Sequence, residues 1–143
     1  MNLSPKERAE KSAEAMWSND KASLWLGMEL VEVDEGRAVI SMVVAPHHSN
    51  GHGMCHGGIT FALADSAFAF ACNSRNLSAV AQHNVISYTA AAKIGERLTA
   101  TATEVSVNGR NGIYDVKVTN PEGLTVAEFR GFSLIINGQH FQE

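Results

Sequence analysis

Asp65 is the only acidic residue between His56 and Arg75, and it stands eight residues after Gly57 in an otherwise apolar run. A carboxylate in apolar surroundings is costly, so it is either satisfied by a partner or kept for chemistry. The triplet His56-Gly57-Gly58 opens the same run. At the start of a helix, backbone N–H groups are free and the dipole end is positive. Glycines there let a substrate approach the backbone closely. Residues of these types suit attack on a carbonyl: the Gly57 N–H as oxyanion donor, and Asp65 as general base on a water or as a nucleophile. Eight residues of helix rise by about 12 Å, more than an aspartate side chain spans. The acid and the oxyanion donor of one site are therefore expected from different subunits of a homodimer, with two equivalent sites at its interface.

The elements that must position these groups follow from the pattern around them. Ser4-Pro5-Lys6-Glu7 reads as a capping box, starting a helix that runs to about Ser18. Asn19 or Asp20 caps a second, short helix ending at Gly27. From Met28 the period shortens. Met28 to Val33 and Arg37 to Ala45 read as two strands about an Asp34-Glu35-Gly36 turn. A histidine-rich loop then leads to a long helix over 58–73. Four strands follow, at 79–91, 98–107, 113–119 and 124–136, joined by short turns that imply antiparallel pairing. The tail from Asn137 to Glu143 is expected to be loosely held. The long helix is apolar all round and must be covered on most sides. A curved antiparallel sheet wrapped around it does this. Alanines 62, 64, 67, 69 and 71 would let the sheet approach, while Phe61, Leu63, Phe68 and Phe70 fill the remaining volume.

Composition bounds the rest. A chain of 143 residues, 45% hydrophobic and 18% charged, suits a single α+β domain. Eleven basic against fifteen acidic residues give a net charge of −4, without the basic footprint of nucleic-acid binding. No apolar run reaches the ~20 residues of a membrane span, and the N-terminus has no signal-peptide core. Two cysteines, Cys55 and Cys72, make no disulfide framework, so a cytoplasmic location is expected. His47, His48, His52, Cys55 and His56 are metal-ligand types, but their spacing matches no common zinc pattern and adjacent His47 and His48 should point apart. No metal and no cofactor is expected.

The pattern N-G-H-x-x-C-H-G-G-x-x-F-x-L-A-D-x-A-F-A, residues 50 to 69, resembles the hot-dog-fold acyl-CoA thioesterases. Within them it is similar to the phenylacetic-acid-degradation group, which hydrolyses phenylacetyl-CoA and its ring-hydroxylated relatives. The resemblance covers nearly the whole chain, including Leu98-Thr-Ala-Thr-Ala102, Tyr114-Asp115 and Phe129-Arg130-Gly131. It implies a hot-dog fold acting on acyl-CoA thioesters, with coenzyme A as part of the substrate. It also implies a homodimer, often a dimer of dimers (a homotetramer). Position by position, it places Asn50 and His56 in the loop that orients the thioester, the Gly57 N–H as oxyanion donor and Asp65 as the catalytic carboxylate. Substrate contacts are expected at Gly58, Gln82, His83, Arg110 and Arg130. Two departures stand out. Gln82 and His83 replace a smaller polar residue, and Thr89-Ala-Ala-Ala-Lys93 replaces the usual leucine, arginine and proline after Tyr88. The basic anchor for CoA phosphates has thus either moved to Lys93 or been lost. The competing readings are a hot-dog hydratase or dehydratase pairing His56 with Asp65, and a non-catalytic acyl-CoA-binding domain.

Overall fold

The structure, a computed structural model, describes residues 2–143. Helix α1 (Pro5–Trp17) and the short helix α2 (Lys21–Trp25) precede strands β1 (Glu29–Asp34) and β2 (Arg37–Val43). The long helix α3 (Gly57–Cys72) follows, then β3 (Ala79–Tyr88), β4 (Arg97–Asn108), β5 (Asn111–Thr119) and β6 (Thr125–Ile135). All six strands form one antiparallel sheet in the order β1-β2-β4-β5-β6-β3. The sheet holds α3 against one face, which is the hot-dog arrangement that the resemblance implies.

Local chemistry fixes the ends of several elements. Ser4 caps α1 reciprocally with Glu7, as the capping-box pattern predicts. Asp20 caps α2 by accepting from the Ser23 N–H. The β1–β2 turn closes at Gly36, whose φ of +71° favours a residue without Cβ. The β3 strand stops at Tyr88, three residues short of the expected end.

The tail is not loose. Buried Asn76, itself at φ +61°, accepts from the N–H groups of His140 and Phe141 and donates to the Phe141 carbonyl and the Glu143 carboxylate. Glu143 also pairs with Arg8 of α1. Polar side chains thus anchor a segment whose sequence is short of apolar residues.

The core lies between α3 and the sheet. Leu63, Ala64, Ala67, Phe68 and Ala71 are buried against Ala100, Ala102, Val116, Val118 and Phe129. Small residues on both surfaces let the backbones approach. At Gly131 of β6 the approach is so close that an added Cβ would lie 2.7 Å from the Phe68 ring. The alanines divide by helical position. Ala64, Ala67 and Ala71 face the sheet, whereas Ala62 and Ala69 share the half-buried outward face with Asp65, at a spacing of three and four residues. The β3 strand is one free edge of the sheet, with Val80, Val85 and Tyr88 about half exposed. An edge strand this long, with its backbone N–H and C=O groups unpaired on one side, is a template for pairing with another chain.

Candidate functional site

The loop before α3 is tied by Asn50. Its side-chain oxygen accepts from the N–H groups of His52 (2.9 Å) and Met54 (3.2 Å), and its own N–H donates to the Met54 carbonyl at 2.7 Å. Gly53, at φ +77°, makes the turn inside this knot. Asn50 is therefore both a turn residue and part of the wall of a cavity of about 210 Å³ shared with Gly57, Thr60 and Tyr88.

His56 is the N-cap of α3. Its Nδ1 accepts from the Gly58 N–H at 2.9 Å. The Gly58 N–H, expected at the substrate, is thus satisfied within the chain. The Gly57 N–H has no partner among the described residues and stands at the positive end of a sixteen-residue helix. Tyr88, which sequence reasoning did not single out, completes this corner. Its hydroxyl donates to the Gly57 carbonyl at 2.8 Å, and its ring lies 3.2–3.4 Å from where a Gly57 Cβ would stand. Partial burial raises the Tyr88 phenol above its ordinary value, so it is a donor at neutral pH.

Asp65 lies two turns further along the same unbroken helix. It is half-buried, and burial pushes its carboxyl up from the usual carboxylate range. A smaller opposing effect comes from the Asn84 amide, which donates to Asp65 Oδ1 at 3.3 Å. The other end of that amide, Asn84 Oδ1, is buried without a hydrogen-bond partner. Asn84 is the second residue that sequence reasoning missed. A register shift between Ala81 and His83 makes Gln82 the extra residue of a bulge. The bulge resets the alternation, so that Asn84 and Ile86 face the helix side and Val85 is exposed. Gln82 instead donates to the Asn111 side chain (3.1 Å) and the Ser133 carbonyl (3.3 Å), and the His83 ring packs tilted against Phe132 with centroids 5.1 Å apart. Neither hydrogen-bonds to Asp65.

The two arginines lie apart from this corner. Arg110 sits in the β4–β5 turn with Nε on the Ile135 carbonyl at 3.0 Å. Arg130 grips Asp115 through two hydrogen bonds of 2.6 and 2.8 Å. That pair lines a surface cavity of about 670 Å³, which touches neither Gly57 nor Asp65. Lys93 pairs with Met54 in an isolated bridge, beside the Asn50 loop.

Other nucleophiles and ligands are restrained. Burial raises the Cys55 thiol, and burial together with the nearby Asp65 charge pushes Cys72 to about 12. Neither forms a thiolate near neutral pH. The His47 and His48 rings do not point apart; their centroids are 4.3 Å from each other. Nδ1 of buried His48 accepts from the Ala45 N–H, and its backbone carbonyl accepts from the His56 N–H, so it braces the loop. Among the described residues no three His, Cys, Asp or Glu side chains are grouped to hold a metal ion.

The assembled corner offers a free backbone donor at one end of α3 and a partly desolvated carboxylate in its middle. Comparison with known proteins bears on what such a corner does. Residues 52–127 match the thioesterase superfamily. The chain is 44% identical over 131 residues to the acyl-coenzyme A thioesterase PaaI of Escherichia coli K12, covering 92% of this chain and 94% of that one. It matches the structure of the E. coli PaaI protein from the phenylacetic acid degradation operon with a TM-score of 0.94 and 43% identity, over 95% and 99% of the two chains. A hypothetical thioesterase from Streptococcus pneumoniae TIGR4, solved with coenzyme A, matches with a TM-score of 0.75 and 27% identity, over 79% and 90%.

Proposed function

The chain belongs to the thioesterase superfamily and is a thioester hydrolase, and from that premise we propose that it cleaves arylacetyl-CoA thioesters, phenylacetyl-CoA and its relatives, to free acid and coenzyme A. The observation that carries the reading is Asp65: a half-buried carboxylate on the outward face of α3, hydrogen-bonded among the described residues to the Asn84 amide alone. The substrate class is drawn from the likeness to PaaI of E. coli.

In this reading the thioester carbonyl accepts from the Gly57 N–H, whose helix end favours the negative charge that develops on oxygen. Tyr88 and His56 hold that corner in place through the Gly57 carbonyl and the Gly58 N–H. Asp65 then delivers the oxygen nucleophile, by taking a proton from water or by attacking the carbonyl itself. The helix places Asp65 about 12 Å along the axis from its own Gly57. Each Asp65 therefore serves a carbonyl held by Gly57 of the partner subunit. The free β3 edge, ten residues long, supplies the pairing surface for such a dimer. The capping bond at His56 disfavours the hydratase alternative, because its Nδ1 is already engaged.

The test is free-thiol release from phenylacetyl-, benzoyl-, hexanoyl- and palmitoyl-CoA by wild type and Asp65→Ala. The reading expects turnover, greatest on phenylacetyl-CoA, that collapses in the folded variant. Turnover that survives the substitution would make Asp65 structural.

A further inference from the structure

A cavity of about 430 Å³ opens beside Asp65, between α1, α3, the start of β3 and the tail. Its size falls within the ~300–1,000 Å³ of small-molecule sites. Its walls are mainly apolar, from Met16, Phe68, Ala69, Cys72, Val80 and Ile136, and no lysine or arginine lines it. A cavity without cations does not suit the phosphates of coenzyme A. One with a carboxylate at its rim and apolar walls suits the other side of the scissile bond.

The far wall carries one polar group of defined character. The Asn73 amide donates from Nδ2 to the carbonyls of Ala69 (2.9 Å) and Ala79 (3.2 Å), and its Oδ1 accepts from the Ala79 N–H at 2.8 Å. Those bonds settle which end of the amide is oxygen. His140 Nε2 lies 2.8 Å from that oxygen, so it must be the N–H donor. In the neutral ring Nδ1 is then an acceptor, and it has no partner among the described residues.

Resting on the hydrolase reading, we infer that this cavity holds the acyl group, and that Met16 of α1 and His140 of the tail select it. Met16 limits its length, and His140 Nδ1 accepts a hydrogen bond from a donor at its far end. Both residues lie outside the stretch 52–127 that matches the thioesterase family, and so does Ile136. The matched stretch holds Gly57 and Asp65, and the segments that flank it supply Met16, Ile136 and His140 to the cavity wall. The hydrogen bonds of Asn76 that hold the tail down therefore also hold His140 at the cavity.

The experiment measures kcat/KM on three substrates: phenylacetyl-CoA, 4-phenylbutyryl-CoA and 4-hydroxyphenylacetyl-CoA. The proteins are wild type, Met16→Ala, His140→Phe and His140→Gln. Met16→Ala should raise the phenylbutyryl-to-phenylacetyl ratio about tenfold, as expected for one or two methylenes in an apolar pocket. His140→Phe should lower the hydroxylated-to-unsubstituted ratio about tenfold. His140→Gln, whose amide can donate to Asn73 and still present an acceptor, should restore most of it. Ratios that stay at wild-type values in Met16→Ala and His140→Phe overturn the inference and leave the hydrolase reading intact. So does a KM increase equal for all three substrates, which would put the pantetheine arm in the cavity. No thiol release by wild type on any of the three overturns both.

Discussion

Gly131→Ala is a one-carbon change with a cost that can be worked from the packing. The new Cβ would lie 2.7 Å from Cδ1 and Cε1 of Phe68 and 2.8 Å from its Cγ. Carbon atoms in contact stand ~3.5–4.0 Å apart, so ring and strand must separate by about 1 Å. The ring has little room, because Tyr114 and Phe129 flank it with centroids at 5.7 and 5.8 Å. Overpacking of this kind costs about 1–3 kcal/mol, and the stiffer unfolded chain returns roughly 0.4–1 kcal/mol. The net loss of about 1–2 kcal/mol corresponds to a fall in Tm of roughly 3–7 °C for a chain of this size. Thermal unfolding followed by circular dichroism at fixed protein concentration reads it. The double variant Gly131→Ala/Phe68→Leu should lose less than the sum of the two single variants, since the smaller side chain vacates the contested space. A Gly131→Ala protein as stable as wild type, or strict additivity in the double variant, would refute the close-approach argument.

Further outcomes follow from the site. Burial raises the Asp65 carboxyl, so the folded state binds its proton more tightly than the unfolded chain, and ionised Asp65 destabilises the fold as pH rises through that value. Asp65→Asn should therefore melt higher than wild type at pH 7, with the gap closing toward pH 4. The acid limb of the wild-type pH–rate profile should likewise fall above the usual carboxylate value of 3.8. Tyr88→Phe removes only the hydroxyl that holds the Gly57 carbonyl, so kcat should drop about five- to tenfold with KM little changed. Asn76→Gly keeps the positive φ but deletes the amide that clamps the tail. Hydrogen exchange at residues 140–143 should rise sharply while the sheet stays protected.

The sequence carried the architecture because its signals were local and strong. The capping box at Ser4, the change of period at Met28 and the short turn between the strands at 98–107 and 113–119 each mark an element boundary that the structure reproduces within a few residues. Family membership was legible from residues 50–69, where loop, glycines and acid lie in one stretch. What was missed depends on contacts between distant segments. Asn84 reaches Asp65 only because a bulge at Gln82 resets the strand, and a bulge leaves no mark in an alternating pattern. Tyr88 was visible as an aromatic residue, but its role needs the end of β3 folded over the start of α3. The tail reads as polar and loose, and it is held by Asn76, more than sixty residues away in sequence. One clue was available at Gly57 and Gly58. A histidine before two glycines at a helix start can cap only one free N–H with its Nδ1, which leaves the other for a substrate.

In the proposed mechanism Asp65 of one subunit works on a carbonyl held by the other, and mixing subunits puts that arrangement to the test. Asp65→Asn and Gly57→Val homodimers are each expected to be inactive on phenylacetyl-CoA. Unfolding the two together and refolding them should form mixed dimers in which one site has both changes and the other has neither. With random pairing, thiol release should return to about a quarter of wild type. Activity that stays at the level of the two parents, with mixed dimers demonstrably present, would contradict a site shared between subunits.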